Sequence, residues 1–511
     1  HLCIFRVWQT YRYSSFLLMD QMNLEISQNA LPKYQDLSFK FNMPSRKAGE
    51  FSVWGLGGIG DDDEEYLPDT TAGENPEYGY NDHTKTGMYA TGLSHTIFPD
   101  EKSYIRSVIS LSASYSSETY DDMDSMGVFQ ERLYDKLQNN ALRVSTLYNR
   151  KVSHHLSLQT GFTYSYLYYD YYSRESVSTG FPVAFLNSAG NTSLYQVYAQ
   201  SKYIFSDRIV FKAGLHFAHF ALSSDNSLEP RLGLSINLPR EQTLTFGFGL
   251  HSRNESLPAY FVENEQADGS IYLPNLGLKM TRSTHYIMGY EKMFRSDLQL
   301  KTEVYYQRIN NLPVSNNPDK YWAPIFGGVN QGDTLANIGE GCNYGLELTL
   351  QKYFTRSYYF LFSSSLFDSR YKPADGSWYD TKFDLGFINN LVGGKEFMWG
   401  SKRMVGLNLR MIWSGGRRIL SVDLPASIEQ GQAVYKDYDI WSKQARDYFR
   451  VDLGLKLHFF REKTEHVVSL DIQNLTNRQN VLAEEYNPET ETVEEYPMTG
   501  FIPIFNYRLE F

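Results

Sequence analysis

Apolar and polar positions alternate along this chain with a period of two. From Tyr448 to Phe459, one face carries Phe449, Val451, Leu453, Leu455, Leu457 and Phe459, and the other carries Arg450, Asp452, Lys456 and His458. In Leu298–Gln307, the residues Gln299, Lys301, Glu303 and Gln307 oppose Leu298, Leu300, Val304 and Tyr306. In Tyr344–Gln351, Glu347 and Gln351 oppose Leu346, Leu348 and Leu350. Successive strand residues point to opposite faces, so this rhythm predicts strands. A strand in a soluble core would not carry so many ionisable groups on its second face, whereas lipid on one side and a watery lumen on the other accommodate both. About 20 such strands run from Arg6–Ser14 to Ile502–Phe511, many of about 10 to 15 residues, long enough for a tilted crossing of a bilayer.

The connections alternate in length. Short ones fall at Pro44–Glu50, Pro99–Ser103, Lys151–His154, Ser206–Arg208, Pro239–Gln242, Phe294–Asp297, Phe354–Ser357, Glu396–Arg403 and Phe460–Glu465. Long ones lie between them, among them Gly60–Asp82, Asn254–Met280, Asn311–Gly341, Gly416–Asp447 and Thr476–Gly500. Tight turns on one side and long loops on the other are the plan of an outer-membrane barrel, whose loops have room only outside the cell. The fold class predicted is therefore all-β, a transmembrane antiparallel β-barrel occupying residues 1–511 as one unit.

Composition narrows this further. The chain has 511 residues, with 40 Tyr and 32 Phe, a supply of aromatics that suits interfacial girdles. Mean hydropathy is negative, and no apolar run approaches the roughly 18–20 residues of a membrane helix, so a helical membrane protein is excluded. A net charge of −11 disfavours nucleic acid as a partner. Cys3 and Cys342 are the only cysteines and suggest neither a disulfide framework nor a metal site. No secretory signal is visible and position 1 is His, so the start reads as that of a processed or truncated product.

The last strand is the most specific local signal. Phe505, Tyr507, Leu509 and Phe511 alternate with Ile504, Asn506, Arg508 and Glu510, and a terminal aromatic such as Phe511 resembles the sorting signal read by the outer-membrane assembly machinery. Other stretches resemble the barrel of TonB-dependent outer-membrane receptors, in particular those bearing a carboxypeptidase-regulatory-like domain. They are Glu229-Pro230-Arg231-Leu232-Gly233-Leu234, Asn343-Tyr344-Gly345-Leu346-Glu347-Leu348, Asp447-Tyr448-Phe449-Arg450-Val451-Asp452-Leu453, and Asp471-Ile472-Gln473-Asn474-Leu475-Thr476-Asn477. The resemblance implies a barrel of 22 strands, of which about 20 are visible. It also implies a lumen plug and a TonB box, neither of which this sequence contains. The expectation is the barrel portion of a longer polypeptide. The implied function is uptake of a scarce ligand (a siderophore, cobalamin, an oligosaccharide or a peptide) energised by the inner-membrane TonB complex. Implied partners are that complex through a plug, outer-membrane lipid and lipopolysaccharide, the assembly machinery and a surface lipoprotein. A plugless passive porin-like channel or an adhesin-like barrel remains the alternative, distinguished by the sequence upstream of His1.

Candidate chemistry lies in the loops and lumen, because binding residues concentrate on loops held by a rigid scaffold. Tyr260 and Phe261, Tyr321 and Trp322, Trp378 and Tyr379, and Tyr438 and Trp441 put aromatic pairs into four loops, to stack on a ligand or to pack loop on loop. Arg417 and Arg418 follow Ser414-Gly415-Gly416 and could face an anionic ligand or lipopolysaccharide phosphates. By resemblance, Lys301, Glu303, Glu347, Arg450 and Asp452 would bind the plug. Asp61-Asp62-Asp63-Glu64-Glu65 reads as a solvated acidic loop rather than a Ca²⁺ site. His216 and His219 are three apart on a strand, hence on opposite faces and unable to share a metal. Gly55-Leu56-Gly57-Gly58 only superficially resembles a phosphate loop. No catalytic constellation, cofactor motif or metal site is recoverable, and the protein is not expected to be an enzyme.

Overall fold

The computed structural model describes residues 6–13, 33–45, 47–64, 80–123, 128–176, 182–266, 268–326, 334–436, 441–488 and 490–510. Among the described residues one antiparallel sheet dominates and holds 21 strands. One of these, Tyr379–Asp380, is two residues long; the other 20 follow one another in chain order, each antiparallel to the last. The strand count read from the alternation therefore holds, and all the tight turns read from the sequence fall between neighbouring strands. Among the described residues, Arg6–Tyr13 pairs only with Lys33–Ser45, and Ile502–Glu510 only with Glu465–Gln473.

Register sorts the two faces of the wall. Val304 lies opposite Met288 and Leu346, and Met288 opposite Phe246, so apolar side chains form rows across strands. Met411 opposite Val451 and Leu409 opposite Leu453 continue the apolar face. On the other face, Glu303 lies opposite Glu347, and Arg410 opposite Asp452. Lipid solvates the first face, and water or polar protein the second. His216 and His219 separate as expected: His216 bonds Glu229 on the lumen face, and His219 bonds Asn226 on the other.

Strand length is uneven around the sheet. The five consecutive strands Tyr80–Asp100, Ser103–Met123, Phe129–Lys151, Leu156–Ser176 and Pro182–Ser206 have 21, 21, 23, 21 and 25 residues. Gln242–Arg253, Phe387–Met398 and Arg403–Ser414 have 12 each. At about 3.3 Å per residue the long strands measure roughly 70–80 Å, far more than the roughly 30 Å of a bilayer core requires. One flank of the barrel thus rises well above the membrane.

Two loop boundaries differ from expectation. The acidic run starting at Asp61 is not a loop as far as Glu64, because the strand Gly49–Glu64 continues through it; Glu65 lies outside the described residues. Cross-strand partners make this possible: Asp61 lies opposite Lys33 and Lys85, and Asp63 bonds His83 at 3.1 Å. Likewise Leu298–Ser315 runs past Asn311 and Leu335–Thr355 begins before Gly341, since Leu312, Pro313 and Val314 bury themselves in a loop core. Gly55-Leu56-Gly57-Gly58 sits inside Gly49–Glu64, and the strand, not a helix, continues after it to Glu64.

Candidate functional site

At the long-loop end, the connections pack on one another and on the inner wall in two hydrophobic clusters. In the first, the 3-10 turn Leu257–Tyr260, set by Pro258, drives Tyr260 and Phe261 into the wall. Phe261 stacks on Tyr169 at 4.2 Å, Tyr169 on Tyr171 at 5.3 Å, and Tyr260 lies 5.6 Å from Phe220. Asn275, fully buried, ties the loop down by donating to the Ala259 carbonyl at 3.0 Å and accepting from the Leu335 amide at 2.8 Å. Glu255 accepts from the Thr281 hydroxyl at 2.9 Å, and burial pushes its carboxyl above the usual range. Trp322 packs partly buried against this cluster.

The second cluster joins the next loops. Phe326 meets Tyr371 edge-on at 4.9 Å and Trp441 at 5.6 Å; Tyr321 meets Tyr379 edge-on at 5.1 Å. Tyr371 donates to the Tyr321 carbonyl at 2.8 Å, and Tyr379 to Asp375 at 2.6 Å. That bond and burial hold the Tyr379 phenol above its ordinary value.

Arg418 is the tie between loops. It pairs with Asp380 at 2.8 Å and Asp384 at 2.9 Å, and donates to the carbonyls of Asp384, Trp441 and Ser442 at 3.2, 3.3 and 3.2 Å. Gly415 and Gly416 are needed there because a Cβ would fall 1.8 Å from the Leu385 carbonyl in the first case and 1.8 Å from that of Ala445 in the second. The motif Ser414-Gly415-Gly416-Arg417-Arg418 therefore supplies close backbone packing and a buried guanidinium; of its two arginines, Arg417 is the exposed one. Trp378 is exposed, with the Lys372 ammonium 5.7 Å from its ring. Tyr438 lies outside the described residues, as does Phe511.

The sequence-predicted aromatics thus divide. Tyr260 and Phe261 are buried in the first cluster, and Trp441 packs against the second; they shape the mouth. Tyr321, Trp322, Trp378 and Tyr379 keep exposed surface.

On the lumen wall, Lys301 and Glu303 form an ion pair, Glu347 lies beside Glu303, and Arg450 donates to Asp452 at 2.6 Å. Asp452 also accepts the Asn474 amide at 2.9 Å. A concavity of about 810 Å³ opens on this wall, lined among others by Gln159, Gln200, Lys202, Lys212 and Arg231. Gln200 donates to Gln159 at 2.8 Å. The same alternation that marked Lys301 would have placed these residues on the lumen face.

Glu229, which the sequence marks only as the start of a family-like strand motif, is a hydrogen-bonding hub. With 2% of its surface exposed, it accepts from His216 at 3.0 Å, Arg231 at 2.7 Å, Ser227 at 3.3 Å, the Ser252 amide at 3.1 Å and the Ser252 hydroxyl. It links three strands just past Arg231, where the ladder between Asp225–Leu238 and Gln242–Arg253 ends while that to Ile209–Phe220 continues. Among the described residues no group of three or more His, Cys, Asp or Glu is placed to hold a metal.

The family model described as TonB dependent receptor-like, beta-barrel, matches residues 26–475. None of the curated proteins matches the sequence. Among solved structures, the siderophore receptor PiuA from Acinetobacter baumannii superposes with a TM-score of 0.65 at 11% identity, over 94% of this chain and 74% of its own. The ferric yersiniabactin uptake receptor FyuA from Yersinia pestis gives 0.62 at 11%, over 94% and 70%. The copper transporter OprC gives 0.63 at 11%, over 94% and 72%. At such identities the likeness concerns the fold, and the strand order, the two-faced wall and the loop asymmetry agree with it. The chain belongs to the TonB-dependent receptors and forms their β-barrel in the outer membrane of a Gram-negative bacterium.

Proposed function

We propose that this barrel imports a scarce ligand, with energy drawn from the inner-membrane TonB complex through a plug seated in the lumen. Capture takes place at the mouth, on the exposed edges of Tyr321, Trp322, Trp378 and Tyr379 and on Arg417. Tyr260, Phe261, Trp441 and Arg418 hold the loops that present them. Ligand classes in keeping with exposed aromatics beside Arg417 are siderophores, cobalamin, oligosaccharides and peptides. The plug rests on Lys301, Glu303, Glu347, Arg450 and Asp452 through ion pairs and hydrogen bonds. The observation that carries the proposal is family membership over most of the chain, joined to loops stitched into a preorganised mouth.

The intact mass of the protein in outer-membrane fractions tests this reading. A mass well above 59.1 kDa supports an attached plug and energised uptake; a mass near 59.1 kDa favours the passive porin-like or adhesin-like barrel. Arg450→Leu supplies a second arm. It should admit vancomycin through a loosened plug while the barrel still inserts, and normal exclusion would count against plug seating on this residue.

A further inference from the structure

The lipid-facing side carries, near its tight turns, a feature for which import has no use. Four cations there lie against aromatic rings of the same region: Lys292 at 4.9 Å from Phe294, Lys352 at 4.0 Å from Tyr358, Lys395 at 5.0 Å from Phe397 and Arg403 at 5.7 Å from Trp399. Lys352 is consumed by Asp297 at 3.0 Å. Among the described residues, Lys292, Lys395 and Arg403 pair with no carboxylate. Register turns them outward, since Lys292 lies opposite Leu300, Lys395 opposite Leu407, and Arg403 opposite Phe459. Phe294, Phe397, Met398 and Trp399 are exposed around them, which makes this an interfacial belt at the periplasmic leaflet.

Beside the belt the apolar face has a trough. Register aligns Phe360, Gly393, Leu409 and Leu453 in one row across four strands, with Tyr358, Lys395 and Leu407 in the next row toward the turns. The missing side chain of Gly393 leaves a groove of about 480 Å³ between Phe360 and Leu409. Backbone geometry does not demand this glycine. An added Cβ would meet the Tyr359 carbonyl at 3.4 Å, Phe360 Cβ at 3.6 Å and Phe360 Cα at 3.9 Å, all ordinary contacts.

We propose that the groove and its cations hold an anionic glycerophospholipid of the periplasmic leaflet. One acyl chain lies over Gly393, and the phosphate sits near Lys395 and Arg403. The apolar trough accounts for the chain, and the unpaired cations account for the sign of the headgroup; a zwitterionic headgroup would bring its own ammonium to the same place. The aromatic rings fix the lysine and arginine stems at interface depth.

The test uses the receptor purified from outer membranes, exchanged into vesicles of equal parts phosphatidylglycerol and phosphatidylethanolamine, and read by native mass spectrometry. The wild type should retain one phosphatidylglycerol with about tenfold preference, the size expected of one or two unscreened cations. Gly393→Leu fills the trough and should cut retention about tenfold, while heat-modifiable migration on gels confirms the barrel. The double variant Lys395→Glu/Arg403→Glu should keep a lipid but lose the preference. Equal retention by the wild type and Gly393→Leu, an unchanged preference in the charge variant, or retained lipopolysaccharide in place of phospholipid would each overturn the proposal. If Gly393→Leu does not fold, Gly393→Ala and Lys395→Gln/Arg403→Gln decide it: undiminished retention and preference in both would overturn it, and loss would support it.

Discussion

Replacing Arg418 with Ala separates a scaffold role from a ligand role. The guanidinium is 13% exposed and its partner Asp384 is 8% exposed. Alanine would leave that carboxylate without a cation and three carbonyls without their donor. Breaking a buried ion pair from one side costs about 3–5 kcal/mol. Asp380 is 31% exposed and adds little to this. A loss near 4 kcal/mol corresponds to roughly a thousandfold in a local opening equilibrium, at most as much as the loop's own stability allows. Hydrogen exchange read by mass spectrometry over residues 418–436 and 441–446 should therefore accelerate by about a hundredfold to a thousandfold. Arg418→Lys retains a charge but lacks the planar fork that spans two carboxylates, so its effect should be intermediate. Arg417→Ala, at an exposed position, should leave exchange unchanged. Exchange in Arg418→Ala within about threefold of wild type would refute the reasoning, because 0.7 kcal/mol or so is too little for a buried pair.

Three further outcomes are expected. Glu229→Ala strands the donors of His216, Arg231, Ser227 and Ser252 and should cost about 3–5 kcal/mol, visible as an earlier urea midpoint of the barrel in detergent; Glu229→Gln, which keeps an acceptor for Ser252, should lose less. Because burial raises the Glu255 carboxyl, the folded loop holds its proton more tightly than the unfolded one. Docking of residues 254–280 should then be tightest below the ordinary Glu value of about 4.3 and weaken as pH rises through the raised value; Glu255→Gln should flatten that dependence in exchange measurements on residues 257–261. Gly416→Ala places a methyl 1.8 Å from the Ala445 carbonyl and should cost about 1–3 kcal/mol, seen as faster proteolysis within 415–447.

Alternation made the wall legible because lipid and water impose opposite demands on neighbouring residues. Phe449 to Phe459 could be assigned a face without any knowledge of partners. Tight turns were legible for the same reason, as brief polar breaks between two such runs. The strand through Asp61–Glu64 was not, because acidic residues on both faces look like a loop until Lys33, Lys85 and His83 are placed across from them. Above the membrane both faces are wet and alternation disappears, which also hid the height of the flank from Tyr80 to Ser206. Loop aromatics were visible as residues but not as contacts. Tyr260 on Phe220, or Phe326 on Trp441, depends on long-range packing that no local pattern encodes. Arg418 looked like a ligand for anions for that reason: Asp380 and Asp384 lie more than thirty positions away in the chain.

The chain-order pairing of the strands also governs time. Since each strand's ladders are with the strands just before and after it, a hairpin can form as soon as its second half is available and then offers its free edge to the next. Among the described residues, no strand from Lys33–Ser45 to Glu465–Gln473 waits for a partner hundreds of residues away, so contact order stays low for so large a sheet, which favours rapid closure of each step. At every stage just two edges are exposed, one at each end of the growing sheet, and edges are what aggregate. The meander therefore lets a large β-structure assemble with a hazard that does not grow with its size.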